Sequence, residues 1–363
     1  MNRTRLLTCA ACSLGMVLGF LATEASARRE VFSPEQKAKL EKADRLLIDV
    51  TAITDQGPVS SGPPSEVVIR RMKEVGYTTL TDPAQPHDLV FKVKCEQRKT
   101  WEGTMASGGD ADLPDSPSRV WKGPACQFSY LLDGKKMGWR KEVRTEFPDA
   151  IKAAAEAKAG DPGAYAMSKL KTKLEEYDFP VLVTAEWGQE RRLLTLLDSP
   201  GTTGTRKATI ITQLGDLFAI EAVPRLQAAL KDPDPNVSKA AALALGNIGH
   251  KESVATLVDA LETGPPALRV AAAKGLGQVG VLHGDVSVIP PLLAALNTDD
   301  LVLKTELVWA LGKLPDRRAY EPLFQIYQPL QRVSGPDTDP QILKLKEALN
   351  WSMKQIDTWE YIQ

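Results

Sequence analysis

Between Leu193 and Ile356 the apolar residues recur three and four positions apart, the spacing that lines up one face of a helix. Val223, Leu226 and Leu230 make one such stripe. The chain turns at Asp232-Pro233-Asp234-Pro235, and Val237, Ala241, Ala244, Leu245 and Ile248 make a second stripe closed by Gly249. The next copy runs Val254, Leu257, Val258 and Leu261, a turn at Gly264-Pro265-Pro266, then Leu268, Ala272, Leu276 and Val279. A third pairs Val288, Ile289, Leu292, Leu293 and Leu296 with Leu303, Leu307, Val308, Leu311 and Leu314. An earlier copy pairs Leu193, Leu194 and Leu197 with Ile210, Ile211 and Leu214. A last, divergent copy spans Tyr320 to Ile356, with a long turn from Arg332 to Pro340 and Asn350 in the place read as the glycine. Leu-Gly pairs punctuate the series at Gly215, Gly246, Gly277 and Gly312, steps of 31, 31 and 35 residues. Proline in the turns blocks one continuous helix. A single helix pair cannot bury both stripes, so this period predicts about five pairs stacked as an all-α array over residues 182–363.

Residues 28–181 carry a different pattern. Arg45 to Ile53 is a β-rich run, Gly57 to Pro64 a Gly/Pro/Ser loop, and Val67, Val68, Met72 and Val75 have helical spacing stopped by Gly76. Leu89, Phe91, Val93 and Cys95 alternate with mostly polar residues, as do Cys126, Phe128, Tyr130 and Leu132, so both runs read as strands. Asp133-Gly134 turns the chain into a partner strand carrying Met137, Trp139 and Val143. Ala150 to Tyr177 is helical with a break at Gly160 to Gly163. Gly103 to Ser118 is a polar, Gly/Pro-rich excursion. The expected class is a mixed α/β domain followed by the helical array.

Two resemblances follow from these residues. The segment AVPRLQAALKDPDPNVSKAAALALGNIGHKESVATLVDAL, with its DPDP turn, alanine-rich second helix and Leu-Gly step, resembles the short bacterial HEAT-like repeat, the type also found in phycobilisome lyases. The likeness covers about Glu186 to Ile356 and implies a solenoid; it departs from that pattern at Ser238 and Asn350. The segment VVIRRMKEVGYTTLTDPAQPHDLVFKV resembles α/β domains of bacterial envelope lipoproteins of unknown function, which implies an envelope setting and no activity.

Targeting and composition set the compartment. Arg3 and Arg5 precede an uncharged run from Leu6 to Ala22, and Ala25-Ser26-Ala27 is a small-x-small cleavage site, so residues 1–27 read as a signal peptide. That run is shorter than the roughly 20 residues a spanning helix needs, and no later apolar run is long enough. A periplasmic or secreted chain with no membrane span after cleavage is expected. Cys9 and Cys12 leave with the leader. Cys95 and Cys126 remain and are most simply a disulfide, a metal pair or CxxC motif being disfavoured by their spacing and neighbours. With 45 Lys and Arg against 46 Asp and Glu, the formal charge is −1, which gives nucleic-acid binding no electrostatic support.

No chemistry-bearing motif survives its context. Gly275-x-Gly277-x-x-Gly280 spells a dinucleotide fingerprint, but it ends an alanine-rich helix instead of joining a strand to a helix. Asp232, Asp234 and Asn236 imitate an EF-hand start, with Val237 where glycine is required. Asp110, Asp112 and Asp115 lack the calcium-loop order, and His87, His250 and His283 are scattered. No catalytic, metal or cofactor residue is expected. Aligning the repeats on their Leu-Gly pairs places Thr212, Leu243, Lys274 and Trp309 in one column, Lys239, Val270 and Thr305 one turn earlier, and Asp216, Asn247, Gln278 and Lys313 one turn later. This ridge is the expected partner surface on the concave face, with Trp309 and Leu243 as apolar anchors, the alternative being that Trp309 packs against the longer last repeat or the first domain. The expected function is an exported, non-enzymatic scaffold that binds a protein partner, in envelope assembly or maintenance. The alternative is a ligand-binding or lyase-like enzyme with a pocket between the two domains.

Overall fold

The computed structural model describes residues 32–97, 100–106, 116–121, 123–314, 316–335 and 338–360. The expected signal peptide and the aspartates 110, 112 and 115 lie outside these. The chain divides into two compact units between Pro180 and Val181.

The first unit is built on a mixed sheet. Its strands are β1 (Arg45–Thr54), β2 (Gly57–Val59), β3 (Thr78–Leu80), β4 (Leu89–Glu96), β7 (Ala125–Leu132), β8 (Lys135–Lys136) and β9 (Lys141–Arg144). β1 and β4 are parallel and β4 and β7 antiparallel, in the register Ile48↔Phe91↔Tyr130. A parallel neighbour needs a crossover. Helix α2 (Gly62–Glu74) supplies it between β1 and β3, and Gly76, at φ +87°, turns the chain out of that helix. Strict alternation along β4 buries Leu89, Phe91, Val93 and Cys95 on one face. The opposite side carries exposed pairs such as Lys92–Asp49, which contribute little to stability.

Two helices, α2 and α4 (Pro162–Glu176), cover the apolar side of the sheet. Asp161 caps α4 through the Gly163 amide, with Pro162 at the first helical position. Gly163 is needed because an added Cβ would lie 2.9 Å from Thr54 Cγ2, so the helix start presses onto the end of β1. Phe91, Phe128 and Phe179 stack beneath, Phe128 and Phe179 at 4.8 Å between ring centroids. Buried Arg71 of α2 donates to Asp178 Oδ1 at 3.1 Å and to the Tyr177 carbonyl, pinning the segment that delivers Phe179. Cys95 and Cys126 are direct partners across β4 and β7, with an S–S distance of 2.02 Å.

Three expectations for this unit need correction. Gly103 to Ser118 is not wholly a loop: β5 (Thr100–Ala106) and β6 (Ser116–Trp121) pair as an antiparallel ribbon. Gly57 to Pro64 contains β2 and the start of α2, because proline at the first turn favours a helix as readily as a loop. The partner of β7 is also not one continuous strand. β8 and β9 pair with opposite ends of β7, and Trp139 lies between them, its ring 6.0 Å from that of Tyr130.

Among the described residues the second unit stacks five helix pairs after a short helix, α5 (Phe179–Glu186). The first helices are α6 (Glu190–Leu197), α8 (Val223–Ala229), α10 (Ser253–Thr263), α12 (Ile289–Ala295) and α14 (Tyr320–Tyr327). The second helices are α7 (Gly204–Asp216), α9 (Pro235–Ile248), α11 (Pro266–His283), α13 (Leu301–Lys313) and α15 (Pro340–Glu360). Asp234 and Asp300 cap α9 and α13 by accepting amide hydrogen bonds, and in the EF-hand-like turn Asp232 likewise accepts from the Asp234 amide. Each second helix packs on the next. The Leu-Gly glycines set how closely. A Cβ on Gly215 would lie 2.7 Å from Ala244 Cα, one on Gly246 2.5 Å from Gly275 Cα, and one on Gly277 3.0 Å from Ala310 Cα. One on Gly312 would run into the Ser352 side chain.

Two measurements test these points. Replacing both Cys95 and Cys126 by alanine should lower the unfolding free energy of the first unit by about 3–4 kcal/mol, read by urea denaturation against the oxidised parent. Gly246→Ala should destabilise the array by about 1–3 kcal/mol through backbone overpacking, although alanine is the better helix former by about 1 kcal/mol. A Gly246→Ala variant as stable as the parent would overturn the packing account.

Candidate partner-binding ridge

The glycine contacts define the register of the second-helix layer. Ala244, Gly275 and Ala310 each stand two residues before the Leu-Gly glycine of their own helix. Each second helix thus receives its predecessor's glycine on a small residue and presents its own glycine two positions later. By this register Ser352 is the receiving residue of α15, and Lys354 occupies the presenting position. The equivalence of Asn350 with the glycine is therefore corrected. Lys354 is exposed, and among the described residues no further helix stacks there. The same register dissolves the dinucleotide fingerprint. Gly275 receives Gly246, Gly277 meets Ala310, and a Cβ on Gly280 would lie 2.8 Å from both Leu314 and Val288.

The residue just before each receiving position forms the ridge column. Thr212 and Lys274 are exposed, and Leu243 and Trp309 half-buried. One turn earlier Lys239 is exposed while Val270 and Thr305 are half-buried. One turn later Asn247 and Gln278 are half-buried and Lys313 is exposed. None of these ten is buried, whereas the neighbouring Leu245, Leu276 and Leu311 are fully so. Gln278 Nε2 donates to Asn247 Oδ1 at 3.1 Å, joining two repeats across the ridge. Thr212 and Thr305 turn their hydroxyls back onto carbonyls of their own helices, at Ala208 and Leu301. Lys313 is held below the ordinary lysine range by burial at its amine end, with Lys274 adding to the effect and Glu306 opposing it, although the residue as a whole remains exposed.

Alignment on the Leu-Gly pairs missed one member of the column. The corrected register adds Trp351, whose ring sits 4.9 Å from that of Trp309 at 49°. The two indoles, with Leu343, Lys346, Glu347, Asn350 and Lys354, line an open cleft of about 520 Å³. The sequence carried a signal for it, since Met353 follows Trp351 by the two positions that separate Leu311 from Trp309.

Among the described residues no cluster of His, Cys, Asp and Glu is arranged to hold a metal ion, and no helix is long and apolar enough to cross a membrane.

The repeating register and glycine-on-small contacts coincide with a sequence match to HEAT repeats over residues 192–276 and 254–331. Residues 192–331 are HEAT repeats. The second unit is thus a helical repeat scaffold, as its period implied. No curated protein sequence matches the chain. Two solved structures are similar in fold. Human deoxyhypusine hydroxylase in complex with glycerol shares 15% identity at a TM-score of 0.26, covering 57% of this chain and 90% of its own. The complex of CpcE and CpcF of phycocyanin lyase from Nostoc sp. PCC7120 shares 17% identity at a TM-score of 0.26, covering 57% of this chain and 99% of its own. The expectation of a non-enzyme is withdrawn on these two neighbours, one titled a hydroxylase and the other a lyase. A HEAT array is no ground for excluding catalysis, and likenesses this distant assign no activity to this chain.

One electrostatic tie in the scaffold is testable. Lys207 at the start of α7 pairs with Asp232 in the turn leading to α9, and this hydrogen-bonded contact holds the Asp232 carboxyl below the usual aspartate range. A depressed carboxylate contributes stability above the unfolded aspartate pKa of about 3.9, and loses it as pH falls through the lower folded value. Lys207→Met should therefore flatten the fall in urea midpoint of the second unit below about pH 4. An unchanged pH profile would remove the pair from the account.

Proposed function

We propose that this chain is an exported scaffold whose HEAT array presents the ridge from Thr212 to Lys313 to a protein partner, in assembly or maintenance of the cell envelope. The observation that carries the reading is the row of accessible side chains down successive second helices. Leu243, Val270 and Trp309 stay partly open there, while the stripe beside them is sealed in the core. Of these, Trp309 is the residue type enriched in binding hot spots, and Leu243 and Val270 supply apolar surface around it. The leader read at residues 1–27 and the paired Cys95 and Cys126 support an oxidising compartment outside the cytoplasm.

The test is site-specific photo-crosslinking in intact cells. A photoreactive residue at Leu243 or Lys274 should trap one discrete partner, and the same probe at exposed Glu262 on α10 should not. The crosslinked chain should begin at Arg28 and be recovered from the periplasm or medium. Trp309→Ala should cut the Leu243 crosslink about tenfold. Equal trapping from Glu262, or a cytosolic product still starting at Met1, would overturn the reading.

A further inference from the structure

We propose that the cleft lined by Trp309 and Trp351 takes an acidic peptide segment of the partner, an aromatic or large aliphatic side chain resting against the paired indoles and Leu343 while flanking carboxylates meet the lysines around it. This rests on the ridge being a partner surface and names the chemistry of what it recognises.

The apolar part of the site comes from three side chains. Trp309 and Trp351 stand at 49°, half-buried, so their faces and edges are partly open. Leu343, one of the exposed large apolar residues, is 39% accessible on the same lining. A planar or branched side chain placed there would gain stacking and apolar burial together. The cleft is open, which suits a side chain presented by a longer segment lying along the ridge.

Charge selects the flanks. The ridge contributes Lys239, Lys274 and Lys313 against Asp216, with Glu306 acting on Lys313, and the cleft lining adds Lys346 and Lys354 against Glu347. Across ridge and cleft five lysines thus outnumber three acids, Asp216, Glu306 and Glu347, on a chain whose formal charge is −1. Lys346 is already oriented, because its ammonium donates to the Gln331 carbonyl at 2.8 Å and the Val333 carbonyl at 2.9 Å. That uses two of its three N–H groups. Lys354 is exposed in the position where each earlier second helix has a packing glycine, so the last described helix puts a cation beside the cleft. The depressed Lys313 amine is crowded by Lys274 and burial, a state an incoming carboxylate would relieve.

Calorimetric titration of the full chain tests this. The probe is an acetylated, amidated pentapeptide with a central phenylalanine between two pairs of glutamates. Two counterparts are used, one with lysine flanks and one with a central alanine. The phenylalanine–glutamate probe should bind at least about tenfold tighter than either counterpart, and more weakly as salt is raised. Lys354→Glu and Leu343→Glu alter exposed positions and spare the core. Each should weaken that probe about fivefold or more, with melting unchanged. No preference among the probes, a preference for lysine flanks, or insensitivity to both substitutions would overturn the proposal. So would phosphatidylglycerol vesicles competing for the same residues more strongly than the peptide. If crosslinking from Leu243 still traps a partner while the probes fail, only this inference falls; if neither works, the scaffold reading falls with it.

Discussion

The second unit depends on how closely one second helix can approach the next. At Gly246 the neighbouring backbone comes so near that even a methyl group would sit 2.5 Å from Gly275 Cα. Glycine in a helix interior costs about 1 kcal/mol in propensity. The contact offsets this by bringing the flanking leucines into full burial: Leu214, Leu245, Leu276 and Leu311 are all at 0% exposure. The small-x-Gly step repeats from α9 to α13, so each helix is both acceptor and donor of the contact. The array then propagates with nearest-neighbour contacts alone, the property expected of repeat architectures.

The same step fixes which side chains are left over. A helix locked to neighbours on two sides through one stripe has its adjacent positions turned away from the core. The column Thr212, Leu243, Lys274, Trp309 and Trp351 is that remainder. Its spacing along the array follows from the glycine contacts, so any segment binding it would meet side chains at a repeat interval set by backbone packing. At α15, the last helix among the described residues, the rule relaxes. α15 receives Gly312 on Ser352, whose hydroxyl donates to the Val308 carbonyl at 2.8 Å, but its own presenting position is a lysine. An uncovered glycine there would lose helix propensity with no packing to offset it.

Much of this was legible in the sequence, unevenly. The Leu-Gly pairs located the repeats, and the helical stripes placed the core leucines of the first four repeats except Leu196, while Leu323, Leu345 and Leu349 of the last were not read. The receiving residues were not legible, because Ala244 or Ser352 matters only once two helices lie side by side. Asn350 was accordingly aligned to the wrong position and Trp351 overlooked. In the first unit, alternation revealed β4 and β7, since period two is local information. Phe179 escaped notice because its partners, Phe91 and Phe128, lie far away in sequence and reach it only through the tail that Arg71 pins. The Gly/Pro-rich stretch after residue 102 read as loop by composition, whereas β5 and β6 are set by pairing between segments.

Stability alone does not account for the ridge. Leu243, Val270, Trp309 and Trp351 contribute only part of their apolar surface to the core, and exposed apolar area forgoes about 25 cal/mol per Å² of burial. Polar residues at those helix positions would keep the register, because the glycine contacts and the buried leucines already fix it. Single exposed apolar residues need no explanation. An aligned set on successive helices, converging on two indoles beside a cluster of lysines, is different: its members share a position in the repeat and an orientation imposed by the stack. That shared position and orientation are what the proposed partner surface rests on. Trp309 serves both sides of that argument, since one part of its ring packs on Trp351 and the rest lines the cleft.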